Sequence, residues 1–176
     1  AEQFLKIPTD ARIVGMGSAM VAIAEGVSSM TYNPSGIMSI NGIGFTATHT
    51  PWFADIKHSF IGGVMNLQEM GTIGVGVTML STDDMAVTTP AHPEGTGEFF
   101  RAGDYAFHLA YARTISDQFT IGIAGKYVYS SLYNNVITAS SFAFDIGALY
   151  DMQEIRTRIG VSLTNLGNDV QFLKEP

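Results

Sequence analysis

The stretch Gly71-Thr72-Ile73-Gly74-Val75-Gly76-Val77-Thr78-Met79-Leu80 alternates without a break. Its odd positions hold Ile73, Val75, Val77 and Met79, and its even positions hold Thr72, Gly74, Gly76 and Thr78. Successive side chains of a β-strand point to opposite faces, so the segment predicts a strand with one greasy face and one face of small groups.

The same signature recurs downstream. Residues 104–113 set Tyr105, Phe107, Leu109 and Tyr111 against Ala106, His108, Ala110 and Ala112. Residues 119–130 set Phe119, Ile121, Ile123, Tyr127 and Tyr129 against Thr120, Gly122, Ala124, Lys126 and Ser130. Residues 142–151 set Phe142, Phe144, Ile146 and Tyr150 against Ala143, Asp145, Gly147 and Asp151, and residues 156–164 set Ile159, Val161 and Leu163 against Arg158, Gly160, Ser162 and Thr164. Two earlier segments, near residues 40–50 and 56–67, read as strands less clearly, and the register of the second is ambiguous.

A soluble sandwich also alternates, with its apolar face turned to a core. Two features favour lipid here. The minor face is tiny and largely uncharged, unlike a surface in bulk water, and the major face carries Tyr105, Tyr111, Phe119, Tyr129, Phe142 and Tyr150 near segment ends, as aromatic girdles do. Segment length also fits the roughly 9–11 residues of a tilted membrane strand.

Composition agrees. The chain is 46% hydrophobic but only 14% charged, whereas a soluble domain is about 25% charged. Apolar runs such as residues 13–24 are interrupted and fall short of the about 20 residues a transmembrane helix needs, so a membrane would be crossed by strands. A net charge of −7 with nine Lys and Arg leaves no basic patch and argues against nucleic acid. The lack of cysteine excludes disulfides, thiol catalysis and Cys-based zinc sites. The start Ala1-Glu2-Gln3 shows no basic or apolar leader, as expected of a processed export substrate.

The connections alternate in length. Those at 68–70, 116–118 and 152–155 are tight, and those at 51–55, 81–103 and 131–141 are longer, the pattern of periplasmic turns and extracellular loops in an outer-membrane barrel. This ordering puts residues 1–39 at the periplasmic mouth or in the lumen, with the N-terminus on the periplasmic side. Within them, residues 11–36 are rich in Gly and Ala and close on Asn33-Pro34-Ser35-Gly36. Thr9 or Asp10 caps a helix beginning near Ala11, with residues 19–24 as a continuation limited by Gly15, Gly17 and Gly26. The Gly15-x-Gly17 pair is no dinucleotide loop, since Met20 replaces the third glycine and no strand precedes it. Glycines of the small face (Gly74, Gly76, Gly122, Gly147, Gly160) read instead as room for close approach of the lead segment's backbone. Arg12 and Glu25 then need partners inside the lumen, such as Lys126 or Asp145.

Chemical groups are few. His49 and His58 flank the 51–55 connection and read as facing each other across a hairpin, but only Asp55 is near them, so no metal and no cofactor is expected. His108, Lys126 and Asp145 fall on the small face of three consecutive strands at similar heights, which predicts a polar cluster in the lumen with a structural role. Asp83, Asp84, Glu94 and Glu98 of the longest loop read as solvated acids rather than a calcium site. Serines and histidines show no nucleophile arrangement, so no enzyme is expected. Seven strands would leave an open edge in lipid, and Lys174-Glu175-Pro176 follow without a closing aromatic strand; residues 40–176 are expected to be the first seven strands of a larger barrel.

Six short stretches in order resemble one known group: Phe4-Leu5-Lys6-Ile7, Asp10-Ala11-Arg12 with Gly15-Met16-Gly17, Tyr32-Asn33-Pro34-Ser35-Gly36, Pro93-Glu94-Gly95-Thr96-Gly97 and Ser162-Leu163-Thr164-Asn165-Leu166-Gly167. Over essentially the whole chain they resemble the PorV/PorQ family of outer-membrane proteins, related to FadL-type transporters of hydrophobic compounds. The resemblance implies an all-β, antiparallel transmembrane β-barrel of about 14 strands with an N-terminal hatch. Relatives of the FadL type carry Asn-Pro-Ala in the hatch, where Ser35 here replaces Ala. The implied role is a non-enzymatic component of type IX secretion that receives cargo from the translocon and hands it on for surface attachment. The alternative is a passive transporter of hydrophobic small molecules, and a structural or assembly role shares the same barrel. Implied partners are outer-membrane lipid, secretion-complex proteins and cargo domains, or a hydrophobic ligand.

Overall fold

The alternating segments build one antiparallel sheet in the computed structural model, which describes residues 3–133 and 136–168. Strands β1 (Ile43–Pro51), β2 (Lys57–Asn66) and β3 (Thr72–Ser81) are followed by the short pair β4 (Met85–Ala86) and β5 (Phe99–Phe100). Then come β6 (Gly103–Ser116), β7 (Phe119–Leu132), β8 (Ile137–Met152) and β9 (Thr157–Gly167). The main sheet runs β1-β2-β3-β6-β7-β8-β9, every neighbour being next along the chain. The described sheet is not closed, and β1 and β9 are its edges. No described helix is long and apolar enough to cross a membrane. The expected terminal segment Lys174-Glu175-Pro176 lies outside the described residues.

Three connections are tight: the 3-10 turns Gln68–Met70 and Gln153–Ile155, and the hairpin joining Ser116 to Phe119. They share one rim, here the turn rim; the connections at 52–56, 82–102 and between β7 and β8 form the opposite loop rim. The 131–141 connection is shorter than expected. Pairing continues through Ser131↔Thr138 and Leu132↔Ile137, because Ser and Thr side chains keep a ladder going after the apolar signal has faded. At about 3.3 Å per residue, β8 with its 16 residues is about 53 Å long, more than a tilted strand needs to cross the bilayer.

The lead segment packs on the inward face of this sheet. Helix α1 (Ala11–Gly15) is capped by Asp10, whose carboxylate accepts from the Arg12 N–H at 2.7 Å and from the Ser28 hydroxyl at 2.7 Å. The helix does not continue through 19–24 as expected. Gly17 and Ser18 adopt left-handed φ of 61° and 65°, which ends the helix and leaves residues 19–26 irregular. Two further 3-10 turns, Val27–Thr31 and Pro34–Ser39, complete the segment.

Val27, Met30 and Ile37 pack with Phe60, Val64, Ala110, Ala112 and Ala124, while Phe4 and Leu5 pack with Ala106 and Val128. This explains the ambiguous register of β2. Its inward face carries the apolar Phe60 and Val64, 0% and 3% exposed, because they serve a core and not the lipid. The lead segment also bonds both edge strands: the Thr48 hydroxyl of β1 donates to the Thr9 carbonyl at 2.6 Å, and the Ser162 hydroxyl of β9 donates to the Tyr32 carbonyl at 2.7 Å. One short segment touching both edges requires the sheet to wrap around it.

Candidate functional site

The interior is built on close backbone approach. Asn33, Pro34, Ser35 and Gly36 are all buried. Asn33 organises them: its Nδ2 donates to the Val21 carbonyl at 2.8 Å, and its Oδ1 accepts from the Ser35 hydroxyl at 2.6 Å and the Ser35 N–H at 3.3 Å. Two glycines receive this turn and a third receives Val21 and Ala22 before it. A Cβ on Gly122 would lie 2.7 Å from Ser35 Cα, one on Gly147 3.0 Å from Pro34 Cδ, and one on Gly160 2.5 Å from Ala22 Cα. Gly74 and Gly76 take the Met30 side chain instead, at 3.0 Å from Cε and Sδ. All five glycines of the small face therefore make room for the lead segment.

A polar row crosses the same face. Lys126 Nζ lies 2.6 Å from Asp145 Oδ2 and donates to Asn165 Oδ1 at 2.7 Å, while the Asn165 N–H donates to Asp145 Oδ1 at 2.7 Å. On the neighbouring strands His108 pairs across from Lys126, and His108 Nε2 lies 2.8 Å from the Thr78 hydroxyl. His58 follows on β2, 1% exposed. His58, Thr78, His108, Lys126, Asp145 and Asn165 each stand about seven residues from the turn-rim end of their strands, so they form a band at one height, about 23 Å along a strand from that rim. The band is sealed by the lead segment on both sides: Phe4 and Leu5 cover Ala106 and Val128 on its loop side, and Met30 and Ile37 cover Ala110, Ala112 and Ala124 on its turn side.

His108, Lys126 and Asp145 lie together in this band, which is wider than the three residues read from the sequence. Thr78 follows from parity alone. Asn165 does not: a register shift opposite Asp145 and a left-handed φ of 58° turn it inward, a bulge that Asn tolerates and that no pattern announced. His58 does not face His49. Thr50 pairs with His58 and His49 with Ser59, so the two histidines lie on opposite faces, His49 outward on Ser59 at 2.8 Å and His58 inward. Among the described residues no group of three or more His, Cys, Asp or Glu is placed to hold a metal ion.

The lead-segment charges also differ from expectation. Lys126 and Asp145 satisfy each other, and Glu25 instead meets Arg158 at 3.3 Å and Arg12 at 3.8 Å near the turn rim, with Arg158 also held by Asp151 at 2.6 Å. The reason is height: Glu25 lies beside the rim end of β9, far below the band. Burial pushes the Tyr32 phenol up to about 12. In the long loop Asp84 binds Arg101 and Asp83 binds Lys57, so these acids are exposed but paired; the Arg101 contact holds the Asp84 carboxyl below its usual range.

The outward face is apolar and bordered by aromatics. Tyr111, Phe119 and Tyr150 lie toward the turn rim, where the Tyr111 hydroxyl donates to the Met70 carbonyl at 2.6 Å and the Tyr150 hydroxyl to Gln118 Oε1 at 2.9 Å. Tyr105, Tyr129 and Phe142 lie toward the loop rim, joined by Phe107 and Tyr127, whose rings stand 6.5 Å apart. From Phe119 to Tyr129 is about 33 Å of strand, or about 25 Å of height at a tilt of about 40°, the thickness of the apolar band of an outer-membrane barrel.

The model of one protein family, type IX secretion system protein PorV, matches residues 1–174. The chain belongs to the PorV family. No curated protein matches it. As a PorV-family member it is an outer-membrane protein associated with type IX secretion. The outward band of Phe107, Ile121 and Phe144, each at least 39% exposed, suits such a protein.

Proposed function

We propose that this PorV-family chain supplies the hatch (residues 1–39) and seven wall strands (within residues 40–176) of a barrel that handles secreted cargo at its rims and outer surface, without catalysis. One observation supports this over solute conduction. The lead segment fills this part of the inward face, with backbone against Gly122 and Gly160 and the Asn33 and Pro34 side chains against Gly147, contacts too close to admit a passing molecule between them. A structure whose interior is packed to this degree has its rims and outer face left for interaction. The tight turns mark the periplasmic rim in this reading, and the N-terminus lies on that side.

Co-purification tests it. From a host with an active type IX system, the tagged protein is expected to bring down a translocon component or a cargo domain; recovery alone under gentle detergent overturns the proposal.

One feature favours the FadL-like alternative. A cleft of about 590 Å³ lies between the lead segment and the loop-side end of β1, lined by Ile7, Pro8, Val14, Thr48, Pro51 and Trp52, a size and polarity that suit an acyl chain. Native mass spectrometry with a long-chain fatty acid decides this reading. A bound acid that is lost in Trp52→Ala supports transport, and no bound acid sinks it.

A further inference from the structure

The described arginines divide into two sets. Arg12, Arg101 and Arg158 are ion-paired with Glu25, Asp84 and Asp151. Arg113 and Arg156 form no side-chain hydrogen bond or ion pair, and both are exposed near the turn rim. Arg156 sits in the β8–β9 turn with φ 52°. Arg113 is the more telling, because it stands within the apolar face itself. It lies on β6 with the parity of Tyr105, Phe107, Leu109 and Tyr111, opposite Ile121 and two residues from both Tyr111 and Ile115.

A lipid-facing arginine costs about 2–4 kcal/mol at the bilayer midplane and about 0–1 near an interface, so its position is informative. Arg113 is two pairs inward of the Ser116↔Phe119 pair that ends the ladder. From there a guanidinium on its apolar stem reaches the level where Tyr111 and Tyr150 place their hydroxyls against the turns. A phosphodiester belongs at that level in a bilayer, and its two non-bridging oxygens match the planar donor fork of a guanidinium bidentately. Among the described residues the outward face at the loop rim offers nothing equivalent, since Lys57 and Arg101 there are already held by Asp83 and Asp84.

We propose that Arg113, with Arg156 beside the next turn, binds the phosphodiester headgroup of an anionic glycerophospholipid and thereby fixes the turn rim in the phospholipid leaflet. The inference rests on the outward face meeting lipid, and it adds which headgroup and which rim. Wild type, Arg113→Gln and Arg113→Lys are reconstituted in nanodiscs of phosphatidylethanolamine and phosphatidylglycerol, and lipid retained on release is counted by native mass spectrometry. Wild type is expected to retain phosphatidylglycerol about fivefold more than Arg113→Gln, the factor for one arginine at an anionic surface, with Arg113→Lys between them. Equal retention by all three overturns the inference. So does loss of a co-purifying protein in place of lipid, or displacement of the retained lipid by lipopolysaccharide at equal concentration. If wild type stays monodisperse and lipid-free without detergent, the lipid-facing reading itself fails, an outcome distinct from equal retention.

Discussion

Replacing Gly122 by Ala tests the packing of the lead segment most sharply. The new Cβ would lie 2.7 Å from Ser35 Cα and closer still to the Ser35 nitrogen and the Pro34 carbonyl carbon. Ordinary carbon contacts are about 3.5–4.0 Å, so the turn must retreat by about 1 Å, and backbone cannot swing aside as a side chain can. Overpacking of this kind costs about 1–3 kcal/mol. Displacing the turn also strains the Asn33 bonds to Val21 and Ser35, at about 1 kcal/mol in all. The total of about 2–4 kcal/mol corresponds to about 30- to 700-fold more opening of residues 20–36, read as faster amide exchange. Gly63→Ala is the control, because a Cβ there meets only the Gly44 carbonyl at 3.6 Å on the outward face. Exchange of residues 20–36 unchanged in Gly122→Ala, or equally faster in both variants, refutes the packing described.

Three further outcomes follow from the interior. Lys126→Met strands the Asp145 carboxylate, both side chains being at most 1% exposed, and is expected to cost about 3–5 kcal/mol in detergent unfolding, most of it recovered in Lys126→Met with Asp145→Leu. Glu25→Gln removes half-exposed pairs to Arg12 and Arg158 and is expected to cost under about 1 kcal/mol in the same assay; an equal loss in the two single variants would mean that burial does not distinguish them. The raised pKa of Tyr32, about 12 through burial, means the folded state keeps a proton that the unfolded chain releases near 10. Stability is therefore fully present below pH 10 and falls as pH rises toward 12; Tyr32→Phe is expected to flatten that part of the curve, and an unchanged slope contradicts the burial effect.

Strand positions were legible because the inward face needs small residues wherever the lead segment approaches, so the alternation of Thr72 to Met79 or Tyr105 to Ala112 survives in sequence. The register of β2 was ambiguous for the same physical reason inverted: Phe60 and Val64 fill a core, which removes the contrast between faces. The ends of β7 and β8 were missed since ladder pairing persists through Ser and Thr after hydrophobicity has faded. Within the polar band, His108, Lys126 and Asp145 followed from parity and strand order. Asn165 enters through a bulge, and His58 through a register set by the 52–56 connection, neither of which leaves a local mark. The pairing of Glu25 with Arg158 depends on height in the sheet, which a linear reading of charges does not carry.

The central claim is that one face of this sheet meets lipid and the other meets the lead segment. A nitroxide scan of residues 119–130 in reconstituted protein measures this directly. Accessibility to oxygen, which partitions into lipid, is expected to peak at positions 119, 121, 123, 127 and 129 and to fall at 120, 122, 124, 126 and 130, a period of two. Oxygen accessibility without that period, or peaks at the odd positions for a water-soluble relaxation agent instead, would contradict it.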